Sequence, residues 1–319
     1  MLVHATAKGV SHDLDAQIDD LHAVDEQDIN LQKMGVIEMS DARTFPFRTA
    51  LNASTLFPFK LSVPAQVRVA AEAGFAGIEL WVSDIDAYLA AGGTVAELRA
   101  VVADAGIAVV NAIAFFPWAD ADDLTRARAY AQAEREMRML AELGCAAVAA
   151  PPFGNVASVS LTTMGGHFAH LAKLAREIGV EPYLEFWGRA HTLSRLSEAL
   201  YVAMESGLPD AKLLLDPFHM YTGGSELASL AYLNGANIGI VHVNDYPATP
   251  AREQITDAER VFPGEGIAPT HAFAGVLHRA GYGGFLSLEL FIENYHGQNA
   301  LEVARRGLAA EQTAYTVEG

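Results

Sequence analysis

The chain has 319 residues, and a composition of 51% hydrophobic against 19% charged residues is that of a folded globular protein rather than a disordered one. Its net charge of −18 excludes a nucleic-acid binder, because phosphate contacts need basic side chains, and it predicts repulsion from anionic membranes. The single cysteine, Cys145, excludes a disulfide framework, a cysteine-rich zinc site and a CxxC redox motif.

The acid is unevenly spread. Residues 1–44 hold nine carboxylates against Lys8, Lys33 and Arg43, a net charge of −6, and show no clean hydrophobic period. They read as an acidic, solvated arm with partial disorder, a helix being compatible only with Leu14–Leu31. Met34 and Met39 are alternative starts within it. No basic segment followed by an apolar one opens the chain, and no apolar stretch reaches about 18 residues. The expected location is therefore cytoplasmic.

From about residue 48 a unit repeats: a short apolar run, a loop, then a longer amphipathic stretch. The apolar runs are Thr49–Leu56, Gly77–Val82, Ala108–Phe115, Ala146–Ala150, Glu181–Phe186, Lys212–Leu215, Ile238–Val243 and Phe285–Leu290. Helical patterns fall near 64–73, 94–105, 122–143, 163–179, 191–206, 226–234, 269–280 and 299–315. The third opens on Asp122-Asp123, and Leu124, Ala127, Ala131, Met137, Leu140 and Ala141 largely keep one apolar face. Gly74, Gly106, Gly144, Gly179, Gly207 and Gly281 follow helices, where a left-handed residue closes the last turn.

Alternating strands and helices imply a parallel sheet, and strands apolar on both faces imply one that is covered on both. Eight units match a (β/α)8 TIM barrel better than a doubly wound sheet, and no GxGxxG follows the first run. The expected organisation is an arm over 1–44 and one barrel over 45–319.

In such a barrel, chemistry gathers at the C-terminal strand ends. The first three ends offer Asn52, Ser54, Glu79, Trp81 and Asn111. The last four are different. Glu185, Asp216, His242 and Glu289 each stand within or just after an apolar run, on consecutive strands. Buried alone, each carboxylate would be costly, whereas one divalent cation neutralises the set. Three carboxylates and an imidazole favour Mn²⁺, with Mg²⁺, Co²⁺ or Zn²⁺ as alternatives.

This arrangement resembles the xylose isomerase-like TIM-barrel superfamily, the sugar phosphate isomerases and epimerases. The likeness spans about 48–310 and rests on Asp216-Pro217-Phe218-His219, the His242 strand and Arg260-Val261-Phe262-Pro263-Gly264-Glu265-Gly266. It implies that Glu185, Asp216, His242 and Glu289 bind the metal and that His219 and Arg260 hold substrate oxygens. Two departures stand out. Tyr246–Glu259 separates the histidine from the arginine, and Gly188–His191 lacks the second glutamate of ketose 3-epimerases. Endonuclease IV is disfavoured, since the second and third strand ends carry no histidine.

The expected activity is a metal-dependent sugar isomerase or epimerase acting on a ketose or keto-sugar. Glu185 and Glu289 serve as the acid–base pair through an enediolate. The alternative is a lyase of the same fold, a keto-sugar dehydratase or a C-glycoside deglycosidase subunit cleaving 3-oxo-glycosides. Trp187 and Trp118 are candidates for an apolar substrate wall. A small-molecule sugar or glycoside is the expected partner, with no nucleic acid or membrane. By analogy the protein is a homo-oligomer, or a hetero-oligomer with a small subunit if it is a deglycosidase.

Overall fold

The computed structural model describes residues 43–318, so the acidic arm and its Leu14–Leu31 helix lie outside the described residues. Eight strands follow in chain order: β1 Arg48–Asn52, β2 Gly77–Trp81, β3 Ala108–Ile113, β4 Ala147–Ala150, β5 Glu181–Glu185, β6 Lys212–Leu215, β7 Ile238–Val243 and β8 Phe285–Leu288. All pairings are parallel, in the order β3-β2-β1-β8-β7-β6-β5-β4. The ends of that order, β3 and β4, pack side by side, but no ladder joins them among the described residues. The result is a nearly closed (β/α)8 barrel, as the eight repeating units imply.

Among the described residues nine α-helices accompany the strands: α1 Val63–Ala73, α2 Val82–Ala90, α3 Val95–Ala105, α4 Asp123–Leu143, α5 Leu161–Ile178, α6 Leu196–Glu205, α7 Pro217–Gly223, α8 Thr270–Arg279 and α9 Ala300–Ala314. None of the described helices is long and apolar enough to cross a membrane. Asp122 caps α4 by accepting from Thr125 N–H, and Gly144 ends it at φ 94°. Its buried stripe is Ala129, Ala133, Met137, Leu140 and Leu143, spaced at helical intervals, whereas Leu124, Ala127 and Ala131, expected on that face, are exposed. All six glycines expected to close helices have positive φ.

Three local expectations are corrected. The first strand stops at Asn52 rather than Leu56, because the Asn52 side chain accepts from Ser54 N–H and starts a 3-10 helix over Ala53–Phe59. The helical pattern near 226–234 is a 3-10 helix, Leu227–Tyr232. Two further helices, α2 and α7, occupy segments read as loop. Pro217 at the first turn of α7 supplies the fixed φ that such a start favours.

The barrel interior and the helix–sheet layer are filled by apolar side chains, among them Leu51, Ile78, Leu184, Leu215 and Val241. Cys145 lies in this layer, and burial pushes its thiol pKa up to about 12. It is an inert core side chain.

Candidate active site

The site lies where β5 to β8 end. Asp216 follows β6 and is the N-cap of α7, with its Oδ1 accepting from Phe218 N–H at 2.7 Å and from Asn244 Nδ2 at 3.0 Å. His242 is inside β7, and Glu289 follows β8. One ligand atom from each of Asp216, His242 and Glu289 lies within 4.8 Å of the other two, and all three residues are buried.

Strand sequence explains the convergence. Each acidic or imidazole group stands within or just after the end of an apolar run, so the run is held in the sheet and the polar group is delivered to the mouth. His242 Nδ1 is 3.0 Å from Glu289 Oε2, yet it is buried without a hydrogen bond. A short distance without hydrogen-bond geometry is what two atoms aimed at a common third point show. Ligand atoms about 2.1 Å from a cation stand about 3 Å apart at a right angle. A buried Asp–His–Glu group with an orphaned imidazole nitrogen therefore fits a divalent cation.

The three converging side chains are themselves held. Asn52 Nδ2 donates to Glu289 Oε1 at 3.0 Å. Glu79, wholly buried on β2, places Oε2 at 3.2 Å from His242 Nε2 and accepts from Asn111 Nδ2 at 2.8 Å. Burial works to raise the Glu79 pKa, but the charge of His242 and hydrogen bonds to His242 and Asn111 outweigh it and hold the carboxyl ionised. Glu79, Asn111, Asn52 and Asn244 carry roles that strand-end polarity alone did not assign. Their only sequence signal is a polar residue interrupting an apolar strand or following one.

Arg260 is wholly buried. Its Nη1 donates to Asp216 Oδ2 at 2.8 Å and to Glu289 Oε2 at 2.9 Å, while Nε donates to Asp257 Oδ1 at 3.0 Å. Its guanidinium lies over the Phe218 ring, 4.4 Å from the centroid. Burial would raise the Asp216 pKa, but Arg260, then His219 and His242, hold it well below the usual carboxylate range. The loop carrying Arg260 is fixed by Asp245, which accepts from the N–H groups of Gly264, Gly266 and Ala268 at 3.0, 3.0 and 2.8 Å. A Cβ on Gly266 would sit 2.2 Å from Tyr246 O, so only glycine fits that turn.

Glu185 ends β5 beside the group of three, with Oε1 at 3.9 Å from His219 Nε2. Burial first, then Glu289 and Asp216, pushes its pKa up to about 8 against the counteracting charge of His242. His219 is held below its usual value by burial and lies 3.9 Å from Asp216 Oδ2. Glu185, His219, Arg260, Glu289 and Trp187 all line one cavity of about 660 Å³ at the barrel mouth.

Trp118 does not belong there. It is fully buried, donates Nε1–H to Pro151 O at 2.7 Å and packs edge-on against Phe168. The loop after β3 turns it into the helix–sheet layer, and Phe115 takes the cavity position instead.

These features define a (β/α)8 barrel with a candidate divalent-metal site at the C-terminal ends of β6 to β8. The chain belongs to the xylose isomerase-like TIM barrel family, whose profile matches residues 67–312. It is 31% identical over 136 residues to an inosose isomerase of Halalkalibacterium halodurans, covering 42% of this chain and 48% of that protein. It is 26% identical over 275 residues to a 3-dehydroshikimate dehydratase of Pseudomonas putida, covering 81% of this chain and 41% of that protein. The chain thus spans about half the length of the curated relatives it matches, or less. Among solved structures, the IOLI protein with a bound zinc atom superposes with a TM-score of 0.76 at 22% identity, over 84% of this chain and 98% of that one. An L-ribulose 3-epimerase superposes with a TM-score of 0.66 at 21% identity, over 84% and 95%.

Proposed function

We propose that the protein is a divalent-metal-dependent isomerase or epimerase of an uncharged keto-sugar or keto-polyol, working by proton transfer beside the carbonyl. The observation that carries this is the buried convergence of Asp216, His242 and Glu289 with Glu185 at its edge. A divalent cation held by these four side chains, Mn²⁺ by preference, would supply Lewis-acid stabilisation of negative charge on substrate oxygens.

The chain's own residues do the rest. Glu185 and Glu289 line the same cavity and form the pair that takes a proton from the carbon next to the carbonyl and returns one. Return to the opposite face of the same carbon epimerises; return to the neighbouring carbon isomerises. His219, neutral in its buried setting, offers Nε2 to a substrate oxygen. Arg260 orients the Asp216 and Glu289 carboxylates and places positive charge beside the developing anion.

The cavity's charges support an uncharged substrate. Its lining acids include Glu185, Glu253, Asp257 and Glu289, against Arg189 and Arg260. Arg260 is engaged by three carboxylates, and Arg189 donates to the carbonyls of Arg252 and Ile255. That leaves a phosphate or carboxylate substituent a poor electrostatic match.

The test is solvent deuterium exchange into a panel of free ketoses and inososes with added Mn²⁺, using wild type, Glu185→Gln and Glu289→Gln. Each variant is expected to lose about 10²–10⁴-fold in exchange and turnover. Full activity in both would overturn the assignment. Elimination is the second reading, supported by the match to a dehydratase across 81% of the chain. Loss of water or of a substituent without any isomerised sugar would select it.

A further inference from the structure

The cavity is built from two unlike walls, and this asymmetry says more about the substrate than the metal ligands do. Trp81 ends β2, and Phe115, Phe153, Trp187 and Phe291 stand after β3, β4, β5 and β8; Trp81, Phe115, Trp187 and Phe291 line the cavity, and Phe153 packs against Phe115 and Trp187 beside it. The rings touch in series. Phe291 to Trp81 is 6.2 Å between centroids, Trp81 to Phe115 5.2 Å, Phe115 to Phe153 5.5 Å and Phe153 to Trp187 6.5 Å. Trp187 then reaches His219 at 6.4 Å, which joins the arc to the polar floor.

These rings are not ordinary core. Phe153 is 39% exposed, and Trp81, Phe115, Trp187 and Phe291 are all part-exposed. Trp81 turns its polar edge away, donating Nε1–H to Asn52 Oδ1 at 2.9 Å, and so shows the cavity mainly carbon. A contiguous aromatic surface left in contact with water marks a binding face. The opposite wall, Glu253 to Asp257, is largely polar, and the polar groups on the floor are Glu185, His219, Arg260 and Glu289. At about 660 Å³ the space falls within the roughly 300–1,000 Å³ of pockets that enclose a drug-sized ligand. One hydroxylated ring on the floor would leave the arc uncovered.

We infer that the substrate has two parts: an uncharged, hydroxylated keto ring on the Glu185–His219–Arg260 floor, and a flat apolar substituent, of aryl type, lying against the Trp81–Phe115–Phe153–Trp187 arc. The inference rests on the proposed reaction only for which end of the ligand reacts. The arc itself predicts binding, whatever the chemistry.

The two can therefore be tested apart. Binding of methyl β-D-glucopyranoside and 2-naphthyl β-D-glucopyranoside is measured by titration calorimetry on the Mn²⁺-loaded wild type and on Phe115→Ala/Phe153→Ala. The naphthyl probe is expected to bind wild type at least about 10-fold more tightly than the methyl probe, the factor that 1.4 kcal/mol of ring packing gives. The double variant is expected to lose most of that preference, with its circular dichroism unchanged. Equal affinities, no saturable binding of the naphthyl probe, or a preference undiminished in the double variant would each overturn the inference. Wild type that keeps the aryl preference but exchanges no C–H proton with any keto-sugar sinks the reaction and leaves the arc standing. Exchange without aryl preference does the reverse.

Discussion

Glu79 and His242 stand 163 residues apart in sequence and meet across the barrel, Oε2 to Nε2 at 3.2 Å, with neither side chain reaching solvent. The contact decides which imidazole nitrogen faces the two carboxylates, Asp216 and Glu289. With Nε2–H directed at Glu79, it is Nδ1 that points toward Asp216 and Glu289.

Replacing Glu79 by Gln should therefore weaken Mn²⁺ binding by about 10–100-fold while the fold survives, the range found for supporting carboxylates of metal-binding histidines. Calorimetric titration of the chelator-stripped protein measures it. Unchanged affinity would mean that Glu79 is only a core group.

Metal removal should expose a pH dependence. The folded-state pKa of Glu185 is raised from the ordinary 4.5 to about 8. Between those values the folded protein holds a proton that the unfolded chain has lost, so stability falls as pH rises through that window. Chelator-treated protein should melt at progressively lower temperature from pH 5.5 to 8.5. Glu185→Gln should make the trend shallower, and added Mn²⁺ should raise the melting temperature by binding the folded state alone.

Glu311 on α9 is a second source of the same trend. It is fully buried, neither oxygen has a hydrogen-bond partner, and burial raises its pKa well above normal. Glu311→Met removes an unpaired polar group at similar volume and should stabilise the protein by about 1–3 kcal/mol. Because the wild-type penalty grows as pH rises above the ordinary carboxylate range, the gain should be larger at pH 8 than at pH 5. Urea denaturation at the two pH values reads both.

Trp118→Phe should lower stability and leave KM untouched. It strands the Pro151 carbonyl and opens space against Phe168, for about 1–3 kcal/mol together. Trp187→Ala should raise KM with little change in melting temperature, since Trp187 lines the cavity and is part-exposed. Steady-state kinetics beside thermal melts separates the two tryptophans.

Much of this was legible in the chain. The eight strands are readable because both faces of a parallel barrel strand are buried, so Leu213-Leu214-Leu215 or Ile240-Val241 leave no ambiguity. Asp216, His242 and Glu289 were visible for the complementary reason: a charge at the end of such a run needs a partner. The failures are non-local or too short for periodicity. Ala53–Phe59 carries apolar residues like a strand, and only the Asn52 side chain turns it into a 3-10 helix. Trp118 and Trp187 both follow strands, and nothing in either neighbourhood says which loop folds its ring inward. The role of Glu79 depends on β2 facing β7 across the barrel.

The seam between β3 and β4 gives the mouth a property that the rest of the barrel lacks. Elsewhere the distance between neighbouring strands is dictated by main-chain ladders, and no substitution alters it much. Here side chains lace the gap, Trp118 to Pro151 below and Phe115 to Phe153 at the rim. The aperture on that side is thus written in side-chain volume, so the entrance can be widened or narrowed by point substitution while the strands opposite, which carry His242 and Glu289, keep their spacing.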